Sequence, residues 1–514
     1  MQILKEPFSR DGYQASPWQK LNAAPTDNIN LSEAVIYDCL IIGAGITGLT
    51  AALKLQQAGK KTLIAEAYNI GYGTTGGTSA HINTFADTTY TEAKQAFGES
   101  GAQLFADAVN GGFQIIKTNV SNYNIDCDYE EKPGYLYAED EQQIKALDDV
   151  VDGAQQVRVP VRYTQNVPIP VSYLKAAEFP GQAQFHPLKY LTALANEYVK
   201  AGGVILTNTF IDNIESKDGL HTVKLNEATV QTENVIYATH MPPGINVFNM
   251  RCAPYRSYVI AAKLESDQDC PDALVYDLQE PYHYFRSHII DGEKLLLVGG
   301  NDHKTGHEDP EAVLADLEDY VNKYFKIQEV KYRWSSQYYV PADGLPYVGQ
   351  VPMQPDGIWC ATGYNGNGMM LGSISGDILA DLVLGKENQL ADLMSTKRLK
   401  PVDGFTEFVK ENADVAYHFV ADRFGLEEIE SLSELQPGTG QVIEYNDEKI
   451  AAYKDEQGIV HALSPVCTHM KCFVNWNAAE KSWDCPCHGA RYDINGAVIT
   501  GPARQPLQSF FNKQ

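Results

Sequence analysis

The stretch YDCLIIGAGITGLTAALKLQQAGKKTLIAEA, Tyr37 to Ala67, leaves little freedom to the fold around it. A short apolar run enters three glycines, Gly43, Gly45 and Gly48, and leaves them as an amphipathic helical pattern. A second strand pattern over 61–65 then closes on Glu66, 18 residues beyond Gly48. A G-x-G-x-x-G set between strand and helix, with an acid at that distance, is the dinucleotide fingerprint of a β-α-β unit. Gly43 permits the tight turn, and Gly45 lets the backbone approach a pyrophosphate. Ile46 and Thr47 open the helix whose N-terminus faces the phosphates, and Gly48 allows close packing of helix on strand. Glu66 can accept from ribose hydroxyls. The same glycines interrupt 35–55, the most apolar stretch of the chain, which is therefore not read as a membrane span.

A second constellation stands near the end of the chain, in CTHMKCFVNWNAAEKSWDCPCHGARYDINGAVITGP, Cys467 to Pro502. It contains Cys467-x-His469 and Cys485-x-x-His488, with Cys472 and Cys487 left over. Tetrahedral zinc accepts such a Cys2His2 set. So does a 2Fe-2S cluster in which one iron takes two sulfurs and the other two nitrogens. CTHMKC, CPCHGARYD and GPA together resemble the Rieske proteins of respiratory and photosynthetic chains. The resemblance implies a 2Fe-2S cluster held by Cys467, His469, Cys485 and His488, and a Cys472–Cys487 disulfide between the cluster loops. One position departs from that pattern. Ala490 stands where the respiratory proteins have a serine after His-Gly, while Tyr492 is kept. Loss of a hydroxyl that could donate to a cluster sulfur implies a potential below that of those relatives.

Which dinucleotide is bound follows from later segments. NIGYGTTGGTSAHINT, 69–84, is a run of small residues that includes Gly73, Thr74, Gly77 and Thr78, suited to passing a large flat group. DGLPYVG precedes the strand pattern GIWCATGYNGNGMMLG and a helical one, ISGDILADLVLG. This order resembles the FAD-dependent D-amino acid, glycine and sarcosine oxidases over about 36–390, which implies bound FAD. In that family a late glycine-rich turn, here Gly363, Gly366, Asn367, Gly368 and Met369, brings a helix N-terminus to the pyrimidine end of the flavin. VIYATH, with Thr239, corresponds to the strand returning to the nucleotide.

The implied fold is α/β with an α+β substrate domain. After an N-terminal extension (1–35), a Rossmann-like FAD-binding domain is assembled from 36–90, 180–242 and 335–390. An antiparallel-sheet substrate domain is built from 91–179 and 243–334. A helical connector, 391–430, leads to an all-β Rieske domain, 431–514.

Over the flavin, His81 in GGTSAH resembles the histidine that dimethylglycine dehydrogenases attach covalently to the ring. A related branch uses other residues there, so attachment and mere proximity both stay open. Arg286, in PYHYFRSH, falls on an alternating strand and is expected to face the substrate, where its guanidinium fork could hold a carboxylate; a solvated strand arginine is the other reading. His303 and Lys304 end the strand pattern LLLVGG and are placed near the flavin by analogy. His283 and Tyr284 beside it have weaker claims, since alternation leaves open which of them faces the pocket. His303-x3-His307 has metal-ligand spacing, but Gly306 argues for a loop. His186 before Pro187 reads as a helix start.

The balance of 40 basic against 66 acidic residues, a net charge of −26, offers no surface for nucleic acid or an anionic membrane and suits a partner with a basic docking face. The N-terminal residues lack the apolar core of a signal peptide. The scattered Cys39, Cys127, Cys252, Cys270 and Cys360 read as reduced thiols of a cytoplasmic protein.

These observations point to an amine or N-methyl amino acid dehydrogenase. FAD takes two electrons from the substrate, and the cluster passes them singly to a carrier such as a ferredoxin or cytochrome. Two alternatives remain, a ferredoxin-fed flavin reductase or oxygen-activating enzyme, and an electron-transfer module for a partner enzyme. A Rieske oxygenase would also need an iron held by two histidines and a carboxylate, and no such set is legible outside the cluster loops.

Overall fold

The computed structural model describes residues 10–20, 35–226, 228–398, 412–415, 417–418 and 426–511. The fingerprint folds as its spacing requires. Cys39–Ile42, Ile46–Gln57 and Thr62–Ala65 form strand, helix and strand, with Leu40 registered against Leu63 in a parallel pair. Both strands are buried throughout, which is why they read as continuous apolar runs rather than alternating ones. They sit inside a six-stranded sheet with Val204–Leu206, Val235–Tyr237, Ile358–Thr362 and an antiparallel edge strand, Tyr347–Gln350. The helix Gly368–Val383 packs against Ile46–Gln57. Their contact is close because a Cβ on Gly376 would stand 2.5 Å from the Thr47 carbonyl oxygen.

A nine-stranded, mostly antiparallel sheet lies beyond the nucleotide layer, with Ile327–Pro341 at one edge and Cys252–Leu264 next to it, paired on its other side with Glu293–Lys304. Lys175–Gln184 and Ile327–Pro341 both belong to this sheet. The substrate layer therefore extends past the boundaries read at 180 and 335, because long strands run from one domain's wall into the other's. The helix Tyr90–Asn122 starts on a Thr89–Glu92 capping box and is broken at Gly98, where φ is 76°.

The C-terminal unit is all β, two four-stranded sheets spanning Glu427–Glu428 to Val460–Leu463 and Asn475–Asn477 to Val498–Thr500. The connector read at 391–430 lies largely outside the described residues. No helix among the described residues is long and apolar enough to cross a membrane.

Candidate functional site

A cavity of about 2790 Å³ runs along the carboxyl ends of the parallel strands, between the two large sheets, and is closed on one side by the C-terminal unit. At its nucleotide end Gly43 has φ +108°, and a Cβ there would stand 2.6 Å from the Ala238 carbonyl oxygen. A Cβ on Gly48 would stand 2.0 Å from the Gly43 carbonyl oxygen. Gly48 thus seats helix on strand without reaching the cavity, whereas Gly45, Ile46 and Thr47 line it. The Glu66 carboxylate, at the same wall, accepts from the N–H groups of Ala44 (2.7 Å) and Tyr68 (2.9 Å). Burial still raises its pKa.

Gly73, Thr74, Gly77, Thr78 and Thr239 line the next section, and Gly366, Asn367, Gly368 and Met369 follow at the mouth of the helix Gly368–Val383. At Gly73 and Gly368 an added Cβ would meet no protein atom within 4 Å, so bare backbone faces the open space, as a flavin lying across it requires. Gly363 stands off the cavity, its φ of +77° turning the chain beside Cys252 and Pro341.

The histidine and arginine expected over the ring part company. His81 lines the cavity between Tyr276 and Tyr284, with its Nδ1 3.0 Å from Ser79 Oγ and its buried Nε2 without a hydrogen-bond partner. Burial, then the Arg286 charge, keep its pKa well below the usual value, so the ring is neutral. Arg286 does not line the cavity. Its Nη1 donates to the carbonyls of Ser79 (2.8 Å) and Ala80 (2.7 Å), and its Nη2 lies 2.7 Å from His288 Nδ1. The side chain is fully buried, and those carbonyls use the fork that was expected to hold a substrate carboxylate. Burial lowers its pKa to about 9, still protonated at neutral pH.

His303 is likewise turned away from the cavity, its Nδ1 donating to the Lys304 carbonyl (2.8 Å) and its Nε2 3.0 Å from the Tyr258 hydroxyl. His283 is held by Asp277 and Asn301 and stacked on Tyr320, while Tyr284 does face the cavity. His186 caps the helix Pro187–Lys200, as expected of a helix start.

The second site is built by two turns. Cys467 N–H donates to the Cys472 carbonyl, and Cys485 N–H to the Ala490 carbonyl, both at 2.8 Å. Each turn thereby delivers one thiol and one imidazole. Cys467, Cys485, His469 and His488 are all buried, and the two rings lie 5.1 Å apart edge to face. The buried Nδ1 atoms of both histidines have no hydrogen-bond partner. The neighbouring Cys485 sulfur, against burial and with the Tyr492 hydroxyl, holds the Cys467 thiol below its usual pKa, and the Cys467 sulfur together with burial pushes Cys485 up. Two orphaned imidazole nitrogens facing a pair of interacting sulfurs are the donor set a 2Fe-2S cluster of this ligand type needs. The Tyr492 hydroxyl lies 3.2 Å from Cys467 Sγ. Cys472 and Cys487 form a disulfide behind the turns, and the other five cysteines outside the cluster are buried free thiols.

Sequence patterning did not reveal that these two sites share a wall. His469 Nε2 donates to the Gly244 carbonyl at 3.3 Å, and the Gly244 N–H donates to the Pro502 carbonyl at 2.9 Å. The Gln337 amide donates to the Gly489 carbonyl (3.0 Å), and the Tyr339 hydroxyl to that of His488 (3.4 Å). Gln337 also lines the cavity, and its carbonyl accepts from Thr74 Oγ1 at 2.9 Å. The His240 ring lies between, 3.1 Å from Thr74 Oγ1 through Nδ1 and 4.8 Å from the Tyr339 ring by centroids.

Below this contact six charged groups, Arg10, Asp11, Arg256, Glu480, Asp484 and Arg491, are almost wholly removed from water. Arg10 and the Ser335 N–H and hydroxyl bind Glu480, while Arg491 binds Asp484 at 3.0 Å. A different set, His307, Asp414 and His418, has ligand atoms within 4.8 Å of one another. It is a two-histidine, one-carboxylate grouping that the sequence hid by placing its members 107 and 4 residues apart. Lys304 Nζ, 2.6 Å from Asp414 Oδ2, already neutralises that carboxylate.

Residues 38–382 match the family model for FAD-dependent oxidoreductases of the DAO type, and residues 427–511 that for the Rieske [2Fe-2S] domain. A Rieske 2Fe-2S iron-sulfur protein of Bacillus subtilis, YhfW, is 31% identical over 93% of this chain and 94% of its own. The gamma-glutamylputrescine oxidoreductase of Escherichia coli is 24% identical over 78% of this chain and 96% of its own. Among solved structures, glycine oxidase from Geobacillus kaustophilus superposes with a TM-score of 0.58 at 18% identity, covering 71% of this chain and 99% of that one.

Proposed function

Because the chain belongs to the DAO-type FAD-dependent oxidoreductases and carries a Rieske [2Fe-2S] domain at its C-terminal end, we propose that it oxidises an amine and passes the electrons to its own cluster for delivery to a one-electron carrier. When bound, FAD supplies a two-electron acceptor for the carbon beside nitrogen, and the cluster a one-electron relay. The protein's part is position and environment. His81, held neutral, and Tyr276 and Tyr284 beside it line the reacting end of the cavity and add no cation of their own there. Gly366 to Met369 aim a helix N-terminus at the same space.

The observation that carries the reading is the shared wall. Gln337, one residue deep, touches the cavity on one side and the Gly489 carbonyl of the cluster loop on the other. A cluster that only served an outside enzyme would have no need of that contact. The likeness to a gamma-glutamylputrescine oxidoreductase of Escherichia coli supports an amine as substrate. A net charge of −26 supports a carrier, ferredoxin or cytochrome, that docks through a basic face. The five buried free thiols support a cytoplasmic location.

The test is anaerobic titration of the purified protein with a panel of secondary and tertiary amines, following flavin bleaching optically and cluster reduction by electron spin resonance. The reading expects both signals with one amine class. Cluster reduction only by an added ferredoxin, with no bleaching by any amine, contradicts it.

A further inference from the structure

Resting on that reading, we infer that the substrate half of the cavity is a cation cage, which takes an alkylammonium with no carboxylate beside the reacting carbon. The wall beyond His81 carries Asp87, Asp277, Glu280 and Asp302. Among the described residues no arginine or lysine lines that half; Arg504, the one such residue on the whole cavity wall, belongs to the C-terminal unit. Arg286, the nearest cation by sequence expectation, is turned away and spent on the Ser79 and Ala80 carbonyls. A carboxylate entering here would face four acids and no cation, and would lose its water without a counter-charge.

The acids are not equivalent. Asp277 is matched by His283 at 2.8 Å and by Tyr320 at 3.0 Å. Asp87 accepts the Gly366 N–H at 2.7 Å. Asp302 accepts from the Tyr338 hydroxyl at 2.7 Å on Oδ2, and the Ser257 and Tyr282 hydroxyls also favour its charged form, while its Oδ1 is shielded from water with no partner at full hydrogen-bond geometry. The carboxylate stands among Tyr282, Tyr284 and Tyr338, all on the cavity wall. Aromatic faces around a free carboxylate oxygen attract a desolvated ammonium and offer nothing to an anion. Burial pushes Asp302 up to about 6, so the group is ionised at neutral pH and available to a cation.

The probe is n-butyltrimethylammonium, which cannot be oxidised through a nitrogen lone pair, set against butyrate, each titrated into the FAD-loaded full chain while the visible flavin band is followed. The cation is expected to give a saturable spectral shift and butyrate none. Asp302→Asn should weaken the cation by about tenfold, with Tyr338→Phe losing less. FAD content and melting temperature of each variant separate loss of the site from loss of the fold; if Asp302→Asn does not hold FAD, Tyr338→Phe and the wild-type cation-to-anion comparison decide. Saturation by butyrate but not by the cation overturns the cage, as does an unchanged affinity in folded Asp302→Asn. Amine-dependent bleaching, measured on the same samples, reports on the underlying reading. A protein that binds the cation yet is bleached by no amine keeps the cage and loses amine oxidation. One bleached only by α-amino acids keeps the oxidation and loses the cage.

Discussion

Arg286 is the residue whose role changes most between pattern and structure. Its two carbonyl partners, Ser79 and Ala80, precede His81, and Ala80 itself has φ 59°, a left-handed conformation that a side chain tolerates only when its surroundings hold it. Arg286→Ala would leave two buried carbonyls without donors, at a cost of about 2 to 4 kcal/mol. Thermal melting should fall accordingly, and FAD retention should fall with it because the displaced segment lines the cavity. A lost substrate affinity with unchanged melting would instead restore the carboxylate-binding role. Period-two alternation gives a strand residue its face but not the layer that covers that face. For this reason Arg286 was legible as inward-pointing and illegible as to what it meets, and His303, placed near the flavin by analogy alone, had no residue pattern to fix its surroundings. The glycines at 43, 45 and 48 and the cluster ligands were legible because each acts through its own turn. Ala490 is a second residue-scale test. It is fully buried at the base of the second cluster loop. A hydroxyl there that donates to a cluster sulfur stabilises the reduced form by about 0.5 to 1.5 kcal/mol, so Ala490→Ser should raise the midpoint by about 20 to 65 mV. An unchanged or lowered midpoint would show that residue 490 does not reach the cluster.

At the scale of elements, the strand Ile327–Pro341 joins the two halves. Ser335 binds Glu480, Gln337 binds Gly489 and Tyr339 binds His488, so every second residue of one strand face meets the cluster domain. The N-terminal segment from Arg10 to Trp18 is wedged into the same seam, with Trp18 Nε1 donating to the Thr78 carbonyl at 2.8 Å. Nothing in the composition of that extension announced this, because its partners are distant in sequence. Glu480→Gln would leave Arg10 with Asp11, at 3.1 Å, as its remaining counter-charge in a dry seam, and a loss of about 3 kcal/mol is expected. The pH dependence has a definite sign. Burial alone would raise Glu480 and Asp484, but Arg10, Arg256 and Arg491 around Glu480, and Arg491 and Arg256 around Asp484, outweigh it and hold both below their ordinary values. Depressed carboxylates contribute stability above their unfolded pKa values, about 4 for both residue types, and lose it as pH falls through the lower folded values. Melting temperature should therefore hold from pH 7 to about 5 and drop below about 4, with the drop blunted in Glu480→Gln. A wild-type curve that is flat to pH 3 would remove the network from the stability of the seam.

For the whole molecule, the arrangement is of a cluster docked on its own flavin domain rather than carried on a free arm. His469 and His488 are 8% and 3% exposed, and they are bonded to Gly244 and Tyr339 of the oxidoreductase part, with Gln337 on the neighbouring Gly489 carbonyl. The central claim, that flavin and cluster exchange electrons inside one chain, is tested most directly by rapid anaerobic mixing of the protein with a reducing amine over a wide range of protein concentration. The appearance of reduced cluster is followed after the flavin has bleached. The account predicts a first-order rate that does not change with protein concentration and that falls in Tyr339→Ala with both cofactors still bound. A rate that rises in proportion to protein concentration would mean that electrons pass between molecules, and would contradict it.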